Sequence, residues 1–477
     1  MPTAKKRIVA LASVVVIVLL FAVAGARSKT AVSYPDAPHE TIILKTNPEI
    51  ITDESKWTTN NTHDPEIIKE NGVYYVYSTD YMAGGKPSPG IQIRKSSDLI
   101  QWKFAGRVFD EVPLEAAEWT MGGSTFWAPE VVKMNNRFYL YYSVSQVGSR
   151  NSYIGVAVSD SPEGPWKDLG AAVTSKEGDG HTGNAIDSSV VQAEDGSYWM
   201  SYGSYFGGIF LVELNPETGL LKHPGEEGKK IAQRKNMDYP IEAPSMFYNR
   251  KTDMYYLMTS YGWLEDTYNV RVARSENIEG PYVDVNGRNV IDPSEESWNT
   301  GTKIVGSYSF ENDSGWLGTG HSAFLQDGEQ DYILHNARAG EDKYWSHLHV
   351  RKVFWTKDGW PVASPERYAG EGELKAAQKD IAGTWEYIRH ERFDDAPVSS
   401  ADITLEKDGS LQSDTTSGRW SFDKNETLLL EWNLNGEIVQ EKVILSAAWD
   451  WENWKGTLVF TGLDDSGTAV WGKKSEK

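Results

Sequence analysis

The chain has no cysteine among its 477 residues. Disulfides are therefore excluded as a source of stability, and so is lipid attachment through an N-terminal cysteine. Positive charge is also scarce: 47 Lys and Arg stand against 68 Asp and Glu, a formal net charge of −21. No basic patch runs beside the aromatic residues, which excludes nucleic acid as a partner. The acidic balance favours solubility and carries no information about fold. Stability must come from burial, and aromatic bulk is plentiful, with 24 Tyr, 19 Trp and 14 Phe. Part of that bulk must be core. Trp and Tyr are also the side chains that stack on sugar rings.

Lys5, Lys6 and Arg7 precede an apolar run from Ile8 to Ala26, broken only by Ser13. The run ends Ala24-Gly25-Ala26, a small-x-small pattern suited to signal peptidase. The expectation is a cleaved secretory signal over 1–26 and a secreted, extracellular chain with no stable membrane association. An uncleaved anchor is the alternative, because the run approaches the roughly 20 residues that span a bilayer.

Internal repetition organises the long middle of the chain. Segments beginning at Asp64, Ala128, Asp187, Ala243 and His321 each carry an apolar pair, a polar turn and an aromatic-rich run, the pattern of a β-hairpin. Asn71-Gly72, Asp195-Gly196 and Asp327-Gly328 are hairpin turn dipeptides. A second alternating pattern comes after each copy, from Ile91, Ile154, Ile209, Val270 and Leu348. Four strands repeated five times predict a five-bladed β-propeller, an all-β fold, over residues 51–372. The lead positions are 56 to 78 residues apart, enough for one four-stranded blade with loops.

Inner strands of a propeller surround one axis, so the residue that opens each of them faces the channel mouth. Those positions hold Asp64, Ala128, Asp187, Ala243 and His321, with Glu242 one residue before the fourth. Three carboxylates and an imidazole are thereby expected in one small space, where they would shift one another's pKa values. Glycosidic hydrolysis needs such a set: one protonated acid for the leaving oxygen, and one ionised carboxylate for water or for direct attack. A third can hold the acid protonated. Glu130 aligns with Glu66 two residues inside its strand and is expected to serve structure.

The strings Thr62-His63-Asp64-Pro65, Trp127-Ala128-Pro129-Glu130, Asn184-Ala185-Ile186-Asp187-Ser188, Ile241-Glu242-Ala243-Pro244 and Gly320-His321-Ser322 resemble glycoside hydrolase family 43. The resemblance covers roughly residues 55–370 and is strongest to the endo-1,5-α-L-arabinanases. It implies an inverting hydrolase of arabinan, with Asp64 as general base, Glu242 as general acid, and Asp187 tuning and orienting that acid. It implies a calcium ion, largely water-coordinated, beside His321; a histidine simply bonded to Asp64 or Asp187 is the alternative. It assigns substrate contacts to Trp127, Asn151, Asn184, Ala185, Ile186, Ser204, Tyr205 and Phe206. Trp127 and Phe206 have blade packing as their alternative. Arg338 is expected to face the channel or to form a salt bridge. An exo-acting arabinofuranosidase or xylosidase on the same scaffold is the near competitor, and a non-catalytic sugar-binding propeller is the competitor of another class. The polysaccharide, arabinan in pectin side chains, is the expected partner of a monomer.

Residues 27–50 read as an N-terminal lead into blade one or as a strand that closes the ring. The propeller pattern stops near Tyr368. Short alternating strands over 378–477 predict a small C-terminal β-barrel or sandwich. Trp449, Trp451 and Trp454 are expected to pack against the propeller, since exposed aromatic patches need a partner.

Overall fold

The computed structural model describes residues 32–38, 53–81, 87, 89–234, 240–292, 300–311, 313–423, 426–434 and 436–476. The expected signal at 1–26 lies outside them, as does most of the 27–50 lead. Among the described residues no helix is long and apolar enough to cross a membrane.

Five antiparallel sheets succeed one another along the chain. Blade one holds Glu66–Glu70, Val73–Ser78, Gln92–Ser96 and Lys103–Arg107, and blade two Trp127–Met134, Arg137–Ser145, Ser152–Ser159 and Lys167–Ser175. Blade three holds Ser189–Gln192, Tyr198–Tyr202 and Ile209–Asn215, edged by Leu220–Leu221 and Lys229–Ala232. Blade four is Ile241–Asn249, Met254–Tyr261, Asn269–Ser275 and Thr302–Val305. Blade five is Trp316–Asp327, Gln330–Ala339, Asp342–Trp355 and Pro361–Ala363, with Tyr308–Ser309 beside its first strand. The turn residues act as their types require. Asn71 and Gly72 take φ of 50° and 80°, the two positive values of a tight hairpin turn whose twist matches its strands.

Apolar side chains meet between blades rather than in one mass. Tyr77, Ile93, Leu140 and Tyr153 join blades one and two. Tyr141, Val156, Met200 and Phe210 join two and three. Val76, Leu334 and Leu348 join one and five. Hydrogen bonds to backbone carbonyls close the ring at this last seam. Leu348 N–H donates to Thr59 O at 2.8 Å, and Ser346 Oγ donates to Thr62 O at 2.6 Å. Residues 59–62 thus close the ring, a role the sequence pattern also allows for 27–50. The described part of that lead, 32–38, is not a strand. Its Val32 packs on the C-terminal core, and Tyr34 lies where a side chain at Gly456 would sit.

The C-terminal region closes as an eight-stranded barrel from Gly383–His390 to Ala469–Lys474, rather than a sandwich. Trp385, Leu430, Leu445 and Phe460 fill it. Between its first two long strands, Val398–Ser399 pairs in parallel with Tyr308–Ser309 and joins the barrel to blade five. Trp449 and Trp451 are buried, and Trp451 Nε1 donates to Arg367 O at 2.9 Å. Trp454 packs edge-on to both and stays half exposed.

Candidate active site

The five lead residues share a feature invisible in their identities. Asp64, Ala128, Asp187, Ala243 and His321 all have left-handed backbones, with φ of 51°, 29°, 58°, 51° and 49°. Non-glycine residues held there cost about 1–3 kcal/mol each and persist only where the surroundings over-determine them. Register shifts at the starts of the inner strands of blades two, four and five go with this kink.

What holds the kink comes from the preceding blade. Asp64 N–H donates to Asn336 Oδ1 (3.1 Å), Ala128 N–H to Thr79 Oγ1 (2.8 Å), Asp187 N–H to Ser143 Oγ (3.2 Å) and His321 N–H to Ser260 Oγ (2.9 Å). These four acceptors occupy one register position, opposite the residue before the lead. Blade three has Gly203 there, with its N–H on Ile186 O at 2.9 Å. A Cβ on Gly203 would lie 2.2 Å from Gly208 O, at a φ of +131°. With no side chain from blade three, Ala243 N–H turns instead to Asp187 Oδ2 at 3.2 Å. The one break in the ring therefore ties Asp187 to the residue beside Glu242.

Asp64, Asp187, Glu242 and His321 are all buried or nearly so, and each acts electrostatically on the others. Asp64 Oδ1 accepts from His63 Nδ1 (2.7 Å) and His321 Nδ1 (2.9 Å), and Oδ2 from Thr79 Oγ1 (2.5 Å). Burial alone would raise its pKa, but the two imidazoles pull it well below the carboxylate range. Asp187 goes the other way. Burial pushes it up to about 8, with Glu242 and Asp64 adding to the rise and His321 opposing it. Burial also raises Glu242, against hydrogen bonds from Ser204 and Tyr268. His321, where burial would favour the neutral ring, is lifted to about 9 by the three acids and is a cation at neutral pH. The cluster thus contains one carboxylate held well below its usual pKa and two raised above theirs, Asp187 to about 8.

Of the predicted contacts, Ser204 and Tyr205 reach this cluster. Ser204 Oγ donates to Glu242 Oε2 at 2.7 Å. Tyr205, left-handed at φ 54°, feels both Glu242 and Asp187, and Phe206 is exposed rather than packed in a blade. Trp127 is half-buried at the head of its strand, with Nε1 on Thr125 Oγ1. Ile186 carries the carbonyl that receives Gly203, and Asn184 Oδ1 accepts from Ser152 Oγ at 2.7 Å. Two others stand apart from the acids. Ala185 has no exposed surface and packs between blades two and three, so its methyl group is core. Asn151 donates to Gln146 Oε1 (2.7 Å) and accepts from Glu177 N–H (3.2 Å), within the loops of blade two.

Arg338 forms no salt bridge among the described residues. It donates to His63 Nε2 (3.0 Å), Leu264 O (3.0 Å), Lys343 O (2.9 Å) and Tyr81 Oη (3.1 Å). Glu130 is buried beside Glu66, which burial raises to about 7. Both line a polar cavity of about 630 Å³ in the channel with Ser189 and Ser245.

Sequence reasoning misses Thr79 and Tyr268. Tyr268 is buried and bonded to Glu242. A Cβ at Gly320 would stand 2.1 Å from its ring, so this glycine makes room for the tyrosine. Gly320 is the signal that could have found it.

Known proteins share this architecture and these motifs. Residues 58–361 match the family Glycosyl hydrolases family 43, and 365–472 match a C-terminal lipocalin-like domain. Extracellular endo-α-(1→5)-L-arabinanase 2 of Bacillus subtilis is 34% identical over 457 residues, 87% of this chain and 93% of that protein. An extracellular exo-α-(1→5)-L-arabinofuranosidase of Cellvibrio japonicus is 34% identical over 321 residues, 63% of this chain and 86% of that one. The crystal structure of endo-1,5-α-L-arabinanase from Thermotoga petrophila superposes with a TM-score of 0.78 at 32% identity, covering 88% of this chain and 99% of that one.

Proposed function

The chain belongs to glycosyl hydrolases family 43, and from that premise we propose that it acts outside the cell as a monomeric endo-hydrolase of α-1,5-L-arabinan. The observation that carries this reading is the divided protonation of three buried acids. Asp64 is held ionised while Asp187 and Glu242 are raised.

Glu242 protonates the glycosidic oxygen as the bond to the anomeric carbon breaks. Asp64 takes a proton from the water that attacks that carbon from the opposite face. Configuration inverts, and Glu242 is left ionised and Asp64 protonated until protons exchange with solvent. Asp187 supports the acid from one side, through the bond it accepts from the N–H of Ala243, the residue next to Glu242. Ser204 and Tyr268 hold the acid from the other.

A calcium ion near His321 belongs to the same proposal. His321 gives its Nδ1–H to Asp64 and, as a cation, also carries a proton on Nε2, so it would hold a water of the ion's shell rather than ligate the ion. The hydroxyls next in sequence to Asp187 and His321, Ser188 Oγ and Ser322 Oγ, are buried without a protein partner. Calcium prefers oxygen, so water supplies most of its shell, and this donor set fits a hydrated ion. Such an ion would add positive charge that holds the acids in place. The secretory signal over 1–26 is likewise part of the proposal.

Product analysis on debranched arabinan tests the function. Mixed oligosaccharides appear early under endo action. Arabinose as the sole early product would instead favour the exo activity for which the Cellvibrio relative is named. NMR of the first product reads inversion directly.

A further inference from the structure

The base Asp64 is oriented by a chain of donors that begins at a residue touching no carboxylate. A guanidinium has hydrogens to give and no lone pair to accept with. Arg338 Nη2 lies 3.0 Å from His63 Nε2, so Nε2 is the acceptor and carries no proton. The ring's hydrogen is therefore on Nδ1, where it donates to Asp64 Oδ1 at 2.7 Å. His321 Nδ1 donates to the same oxygen at 2.9 Å. On the other oxygen, Thr79 Oγ1 donates at 2.5 Å while it accepts Ala128 N–H at 2.8 Å.

An ionised carboxylate offers about four lone-pair positions. Three are filled by His63, His321 and Thr79. The one left belongs to Oδ2. We propose that Arg338 and His63 are positioning residues for the base: Arg338 fixes the tautomer of His63, and His63 with Thr79 turns Asp64 so that a single Oδ2 lone pair remains for the attacking water. This rests on Asp64 being the water-activating base. Arg338 has a second task, because its bonds to Leu264 O, Lys343 O and Tyr81 Oη lace the rims of blades one, four and five. Its replacement must therefore be read through His63.

Two substitutions at His63 separate the atoms. Asparagine can place an amide N–H near the Nδ1 position, whereas glutamine reaches the Nε2 position. His63→Asn is expected to keep kcat on linear arabinan within about tenfold of the parent, and His63→Gln to lose about 10²-fold, with KM nearly unchanged in both. The kcat loss caused by Arg338→Met should shrink in the His63→Asn background, which has no Nε2 to hold. Histidine-selective ¹⁵N NMR of the unmodified protein reads the tautomer directly, whether or not the variants fold. A proton on Nδ1 and a bare Nε2 are expected at neutral pH. A proton on Nε2 overturns the proposal. So do equal kcat values for the Asn and Gln variants in folded protein, and that result leaves arabinan cleavage by the parent chain standing. A parent chain that does not cleave arabinan removes the proposed function instead, while the tautomer is still decided by NMR.

Discussion

The molecule buries two clusters of identical composition, three carboxylates and one cation, and uses them in opposite ways. One is the proposed catalytic set of Asp64, Asp187, Glu242 and His321. The other joins the barrel to the propeller. There Lys473 Nζ meets Glu452 at 2.8 Å, Glu366 at 3.1 Å and Asp450 at 3.2 Å. The three acids offer oxygens within 4.8 Å of one another, as a metal site would, but the ammonium already touches all three. Burial raises Glu366 well above its usual range, while Lys473 overcomes burial at Glu452 and pulls it to about 2. In the catalytic set the cation bonds only one acid, Asp64. Glu242 and Asp187 are held by hydroxyls and a backbone N–H, with no cation bonded to either among the described residues. Glu452, gripped by the lysine, is fixed in its ionised form and serves structure. An acid gripped by neutral donors in a buried site can still give up a proton.

The largest effects should come from exchanging one cluster's loss for the other's. Glu242→Gln removes the transferable proton and should lower kcat on arabinan about 10²- to 10⁴-fold, with the melting temperature unchanged or raised. Lys473→Met should do the reverse. Removing one partner of a buried ion cluster costs about 3–5 kcal/mol of stability, and kcat measured well below the melting transition should stay near that of the parent. Differential scanning calorimetry beside steady-state kinetics reads both. If the lysine variant lost activity without losing stability, the contrast between the clusters would be wrong.

The pH profile sharpens the comparison. Under the proposed mechanism, activity requires a proton on the Asp187–Glu242 pair and none on Asp64. The first condition holds below the raised pKa values, Asp187's being about 8, and fails as pH rises through them. The second holds above a pKa well under the ordinary 3.8 and fails only in strong acid. A plot of kcat/KM should show a broad plateau that falls near pH 8 and extends on the acid side to the limit set by unfolding. A fall centred near pH 5 would place the base on a less protected carboxylate.

Part of this contrast is readable in the sequence. The five hairpin repeats, the two aspartates at lead positions with Glu242 one residue before another, and the packing of Trp449 and Trp451 depend on residue type and spacing, which a linear reading can count. The partners that decide protonation cannot be counted. Ser260 and Asn336 sit on second strands, Thr79 sits just past the end of one, and all three act on the next blade, so each is remote in sequence from the backbone it holds. A hydroxyl in a strand is common, and only the ring register separates these from their neighbours. Ala185 misleads for a related reason. It lies in the loop of Asp187, yet its Cβ points into the seam between blades, and adjacency in sequence says nothing of direction. Lys473 and Glu366 are over a hundred residues apart, one in the last strand of the barrel and one just past the last strand of blade five, and nothing in either segment announces the other.

Tyr268 offers the smallest and most selective test. It donates to Glu242 and so favours that acid's ionised form. Hydrogen bonds to charged groups are worth about 1.5–3 kcal/mol. Tyr268→Phe keeps the ring that Gly320 accommodates and removes only the donor. The pKa of Glu242 should then rise further, and the alkaline limb of kcat/KM should move up by about one pH unit, with a modest loss of kcat from a less well-oriented acid. The direction is what matters. If Tyr268 merely supported the blade, its loss would lower activity at all pH values and leave the limb where it was. If the limb moved down, Glu242 would have been held protonated by the tyrosine, and neutral donors would not be what distinguishes the catalytic cluster from the one around Lys473.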